Sequence, residues 1–203
     1  MHESGGPGWR ITMDTSGPML IALYLRDVAG LDGAGRPLLS HAAPKVRHAD
    51  HTHLTAEVGG VHALKTEWEA WWDKLLKSYP KPALELAPPS FHAFGNSPAL
   101  QRVLQAHFGA ALGWAEDRIE EYSKIEAIRE TNGMTQVLNE MVEDRLLEVG
   151  RSSRDFDLTI IELPLNEPRA WYLEPSTMIM SHKLLSEPEM FRSYVQPVVE
   201  ILA

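Results

Sequence analysis

Cysteine is absent from the 203-residue chain. That removes disulfides, thiolate nucleophiles, Fe–S clusters and Cys-based zinc sites together, and it agrees with a reducing compartment. Long apolar runs are also missing. The longest, Met19 to Leu25, falls far short of the about 20 residues needed to span a bilayer. The segment from Met1 to Arg10 is polar and Gly-rich, without the basic stretch and apolar core of a signal peptide. Basic charge is scarce: 19 Lys plus Arg stand against 28 Asp plus Glu, a net charge of −9. Nucleic-acid binding rests on Lys and Arg neutralising phosphates, and no basic run interleaved with aromatics compensates. The expectation is a soluble cytoplasmic protein with neither a nucleic-acid nor a membrane partner.

Complete catalytic signatures are lacking too. The sequence has no Gly-x-Ser-x-Gly elbow, no Gly-x4-Gly-Lys-Ser/Thr loop and no Gly-x-Gly-x-x-Gly turn. What remains is ordinary globular composition, 44% hydrophobic and 23% charged, enough for one sizeable core. The charge is uneven. Residues 1–100 are nearly balanced and hold seven of the nine His, whereas residues 101–203 carry most of the negative charge. Such a split marks two surfaces or two layers.

Along the chain, Trp9 to Met13 reads as a strand, and Asp14-Thr-Ser-Gly-Pro18 has turn chemistry. Met19 to Arg26 is an apolar run that periodicity cannot assign. A strand, forming a hairpin with Trp9 to Met13, is the favoured reading. Residues 29–60 are irregular, with a further short strand expected from His53 to Val58. Leu64, Trp68, Trp71, Trp72, Leu75 and Leu76 recur at helical spacing, and Tyr79-Pro80 stops that helix. Ser97-Pro98 starts the next, whose stripe runs through Leu100, Leu104, Phe108 and on to Ile128. Asn132-Gly133 breaks it, and Met134 to Val149 is another helix. Phe156 to Leu163 is the clearest strand, followed by Ala170 to Leu173 and Thr177 to Met180. The last helix has Ser186 and Glu189 spaced as a capping box, with Pro197 as its weak point. Arg151 to Arg154 is a polar connection, and Pro82 and Pro175 punctuate loops.

The expected object is a single α+β domain, residues 1–203, with a mostly antiparallel sheet of about five strands and about four helices. Its sub-regions are strands and a His-rich loop (1–60), helices (61–150), then strands and a C-terminal helix (151–203). Both strand groups are expected to share one sheet.

The sharpest chemical feature is His48-Ala-Asp50-His51-Thr-His53. In a strand, His51 and His53 would project from one face, as two ligands of one metal do. Imidazole plus carboxylate suits Zn²⁺ or another divalent transition metal, and an open position would activate water. The run resembles, in reversed order and without the Gly-rich flanks, the His-x-His-x-Asp-His segment of metallo-β-lactamase-type hydrolases. A milder reading makes the His-rich stretch a pH-sensitive surface. Trp68 and Trp72, with Trp71, offer an aromatic platform for a partner if they are not core. Asp117 with Glu120, and Glu140 with Glu143, are carboxylate pairs that would suit Mg²⁺, or else an ion-paired solvated face. The function expected is a non-catalytic protein-interaction or regulatory module, binding a protein partner or itself. The alternative is a metal-dependent hydrolase using His48, Asp50, His51 and His53.

Overall fold

The computed structural model of the chain describes residues 2–6, 8–81, 84–150, 155–174 and 176–203. The expectations for Arg151 to Arg154, Pro82 and Pro175 lie outside these residues. The elements are β1 (His2–Gly6), β2 (Trp9–Asp14), α1 (Gly17–Val28), α2 (Thr52–Thr55), α3 (Gly60–Ser78), α4 (Pro98–Thr131), α5 (Met134–Val149), β3 (Phe156–Leu163), β4 (Ala170–Glu174), β5 (Thr177–Ser181), α6 (His182–Leu185) and α7 (Pro188–Leu202). Among the described residues there are thus seven α-helices rather than four, two of them single turns of four residues. The chain divides into two compact units. One comprises Met1–Thr15 with Glu120–Ala203, the other Ser16–Ile119.

The first unit carries the sheet, in which both strand groups join as expected. The order is β1-β2-β3-β5-β4. The pairing is mixed, not mostly antiparallel. β2, β3 and β5 run parallel, with Trp9 opposite Phe156 and Thr159 opposite Thr177, while β1 and β4 pair antiparallel at the edges. The reason is the long connection between β2 and β3. A crossover containing helices lets the chain re-enter in the same direction, whereas a tight turn would not. The hairpin partner of β2 is β1, so the expected hairpin with residues 19–26 does not form.

One face of the sheet builds the core of this unit. Ile11, Met13, Leu158, Ile160, Met178 and Met180 alternate inward and meet Leu138 and Val142 of α5 and Phe191, Val195 and Val199 of α7. Ser186 does not cap α7. Glu187 holds the N-cap position, and the Ser186 hydroxyl donates to the His182 carbonyl, closing α6 instead.

In the second unit Met19 to Arg26 is helical, correcting the strand reading. Ser16 accepts a hydrogen bond from the Met19 amide and Pro18 sits in the first turn, so the residues read as a hairpin turn are a helix start. α1 is buried on nearly every side, which is why its sequence shows no polar stripe. Even Arg26 and Asp27 are buried. Arg26 Nε meets Asp27 Oδ1 at 2.7 Å, Arg26 reaches the Leu39 and Ser40 carbonyls, and Asp27 Oδ2 accepts from the Ala42 amide. This network fixes the irregular stretch that follows. α3 buries Leu64, Trp68, Trp71, Trp72 and Leu75. Trp68 and Trp72 stack at 5.4 Å, and Trp68 Nε1 donates to the Ala22 carbonyl at 2.8 Å.

Candidate functional site

Three parallel strands end side by side in the first unit, and the carboxyl ends of parallel strands are where open sheets of this kind place ligands. Glu162 sits at that edge. In β3 it follows Leu158 and Ile160 at a spacing of two, so it points to the helix-covered face and is fully buried. A buried carboxylate needs partners. Arg129 Nη1 of α4 donates to Glu162 Oε2 at 2.6 Å. The Tyr122 hydroxyl, two turns earlier on α4, lies 3.3 Å from the Met13 carbonyl oxygen and 3.4 Å from Glu162 Oε1. Arg129 Nη2 donates to the His182 carbonyl at 3.4 Å, and the His182 ring stacks on Tyr122 at 5.6 Å. His182 Nε2 stands 3.9 Å from Glu162 Oε2.

Electrostatics follows from burial. Desolvation pushes the Glu162 carboxyl above the ordinary carboxylate range, against the pull of Arg129. Tyr122 is raised far above the usual phenol value, first by burial and then by the charge of Glu162. Its proton stays in place at any working pH.

Beside this cluster lies a concavity of about 260 Å³. Ile125, Ile128, Met134, Val137 and Leu185 make its wall mostly apolar, and Arg129, Asn132 and Ser186 line it as well. The Arg129 Nε is buried and has no hydrogen-bond partner among the described residues. An arginine has five donors and no acceptor, so this donor remains unmet.

The His-rich run falls in the second unit. His53 to Val58 is not a strand. It forms α2 and a 3₁₀ turn, Ala56–Val58. Residues two apart on a helix diverge by about 200°, so His51 and His53 do not share a face. His53 is exposed, and His48 is exposed beside Gly30. Asp50 accepts from the Thr52 amide at 2.9 Å and the Thr52 hydroxyl at 2.6 Å, and that hydroxyl bond leads in holding its carboxyl below the ordinary range. His51 alone turns inward, and its Nε2 lies 2.7 Å from Nε2 of His107 on α4. Burial holds both imidazoles below the ordinary histidine value, and the charge of His107 adds to the effect at His51. Among the described residues no three His, Cys, Asp or Glu side chains gather as metal ligands would.

Trp68 and Trp72 are each 1% exposed, so neither presents a face to a partner. Asp117, Glu120, Glu140 and Glu143 are all exposed. Glu120 pairs with Lys124 at 2.7 Å and Glu140 accepts from Gln136. Among the described residues no helix is long and apolar enough to cross a membrane.

Glu162, Arg129, Tyr122, His182 and His107 had gone unmarked in the sequence. One signal was present: a carboxylate within the apolar run Phe156–Leu163, in phase with Leu158 and Ile160, has to be paired. Nothing local names Arg129 as the partner. Comparisons with protein-family models, curated proteins and solved structures find no match for the chain.

Proposed function

We propose that the chain is a non-catalytic regulatory module whose sheet-bearing unit recognises a small apolar molecule carrying one carbonyl or carboxylate acceptor. The observation that carries the reading is Arg129, whose Nε is a buried donor without a partner among the described residues and whose side chain lines a mostly apolar concavity. Ligand sites combine apolar walls with a few placed polar groups, and this volume lies just under the usual range of about 300–1,000 Å³. It suits a molecule the size of a benzoate or a medium-chain fatty acid. The neighbouring acid–base groups support binding over proton transfer. Both Glu162 oxygens already face donors, and burial favours the neutral Tyr122 hydroxyl.

Thermal-shift and NMR titrations with octanoate, octanamide and octane-1-sulfonate test the reading, with 1-octene as the acceptor-free control. Octanoate or octanamide should raise the melting temperature and move amide signals near Ile128 and Leu185, and 1-octene should not. Ile128→Glu, at a wall residue that is 60% exposed, should abolish the response without unfolding the protein. Equal response to all four compounds, or none, sinks the proposal.

A further inference from the structure

We infer that His51 and His107 together bind a divalent transition-metal ion of the Zn²⁺ or Ni²⁺ class, with water completing its coordination shell. This site lies in the second unit and is independent of the concavity beside Arg129. Its basis is convergence. Two imidazoles from separate segments, the turn before α2 and the middle of α4, aim the same nitrogen at one point, Nε2 to Nε2 at 2.7 Å. The rings meet edge to face, 4.8 Å apart and 61° inclined. Two Zn–N bonds of about 2.0–2.1 Å at a tetrahedral angle place their nitrogens roughly 3.3 Å apart. Entry of the ion therefore asks for about 0.6 Å of separation, which small rotations of two side chains supply.

The protonation states fit. Only a neutral imidazole offers a lone pair, and burial keeps both rings neutral at pH 7. A proton on the buried His51 Nδ1, which has no hydrogen-bond partner among the described residues, leaves the lone pair on Nε2. In the metal-free protein the two Nε2 atoms share one proton across 2.7 Å. When the ion enters, that proton moves to the Nδ1 of the ring that carried it by exchange with solvent, and no net proton is gained or lost. The segment is held for the purpose. The Thr55 amide and hydroxyl both donate to the His51 carbonyl, at 3.0 and 2.9 Å. Asp50 is occupied by Thr52 and His53 points away, so His107 replaces them as the second ligand.

The test uses the untagged full chain, stripped with chelator and titrated at pH 7.5. Zn²⁺ is followed by calorimetry, and Ni²⁺ by paramagnetic broadening of the imidazole ¹⁵N–¹H signals. The first equivalent should broaden His51 and His107 ahead of the other histidines. His107→Gln keeps a hydrogen-bonding group opposite His51 but removes the second imidazole. It should weaken the tightest site at least about tenfold, the scale of damage even outer-sphere changes cause, while His53→Gln leaves that site intact. If the two variants titrate alike, or Ni²⁺ broadens the exposed histidines first, the pair shares a proton only and the proposal falls. Should His107→Gln fail to fold, the order of broadening in the native chain decides.

Discussion

Arg129 and Glu162 stand 33 positions apart in sequence and meet at 2.6 Å in the interior of the sheet-bearing unit, 8% and 0% exposed at their side chains. Removing one member of such a pair strands a charge, at a cost of about 3–5 kcal/mol. Arg129→Met should therefore unfold the unit at lower denaturant, with the midpoint of chemical denaturation as the readout. Replacing both, as Arg129→Met with Glu162→Leu, should recover most of the loss, because an apolar pair of similar volume avoids desolvation. A double variant no more stable than the single one would show that the pair's geometry matters beyond its charge.

Glu162 also sets a pH dependence. Its carboxyl in the folded protein titrates above the ordinary value of 4.5, so between that value and its raised one the native state binds the extra proton. Stability from this group is therefore full below about pH 4.5 and falls as pH rises. Glu162→Gln should flatten that decline in ΔG of unfolding, measured at intervals from pH 4.5 to 8. An unchanged slope would mean that Arg129 keeps the carboxyl ionised throughout.

His51 and His107 have the opposite sign. Both titrate below the ordinary 6.5, so the unfolded chain binds protons that the native one refuses. Their contribution is complete above about pH 6.5 and is lost as pH falls toward the depressed values. Two facing nitrogens 2.7 Å apart accommodate one proton between them, not two. Amide protection factors across residues 50–58, corrected for the intrinsic exchange rate at each pH, should fall on acidification from pH 7 to 5.5, and His107→Gln should reduce the change.

Much of the architecture was legible locally. The Trp-bearing helix, the break at Asn132-Gly133 and the strand from Phe156 follow from periodicity and turn residues, and each stands where expected. Met19 to Arg26 did not, because a helix buried all round has no stripe, and its cap residues also suit a turn. Strand direction was hidden as well, since parallel pairing is decided by a connection of many elements. The sites needed contacts such as Arg129 with Glu162 and His51 with His107, which arise only after folding.

Asp27 links α1 to the irregular stretch after it. Its two oxygens are committed, one to Arg26 and one to the Ala42 amide at 2.7 Å. Asp27→Asn keeps the shape but gives up one acceptor, leaving a buried donor unmet at about 1–3 kcal/mol. Residues 39–42 should become cleavable by protease in Asp27→Asn while the protein remains folded by circular dichroism. Native-like resistance would place the anchoring elsewhere in the stretch.

Trp68 tests whether the aromatic helix is structural. Its ring is 1% exposed, stacks on Trp72 and donates from Nε1 to the Ala22 carbonyl, tying α3 to α1. Trp68→Phe keeps an aromatic plane but loses the donor and part of the volume. Loss of a hydrogen bond of about 1 kcal/mol plus an incompletely collapsed space predicts about 2–4 kcal/mol of destabilisation. Urea denaturation followed by circular dichroism gives the value. A surface platform would respond differently, with stability unchanged to within about 0.5 kcal/mol. The burial of both rings makes the larger loss the expected result, and it assigns the tryptophans of α3 to the core of their unit.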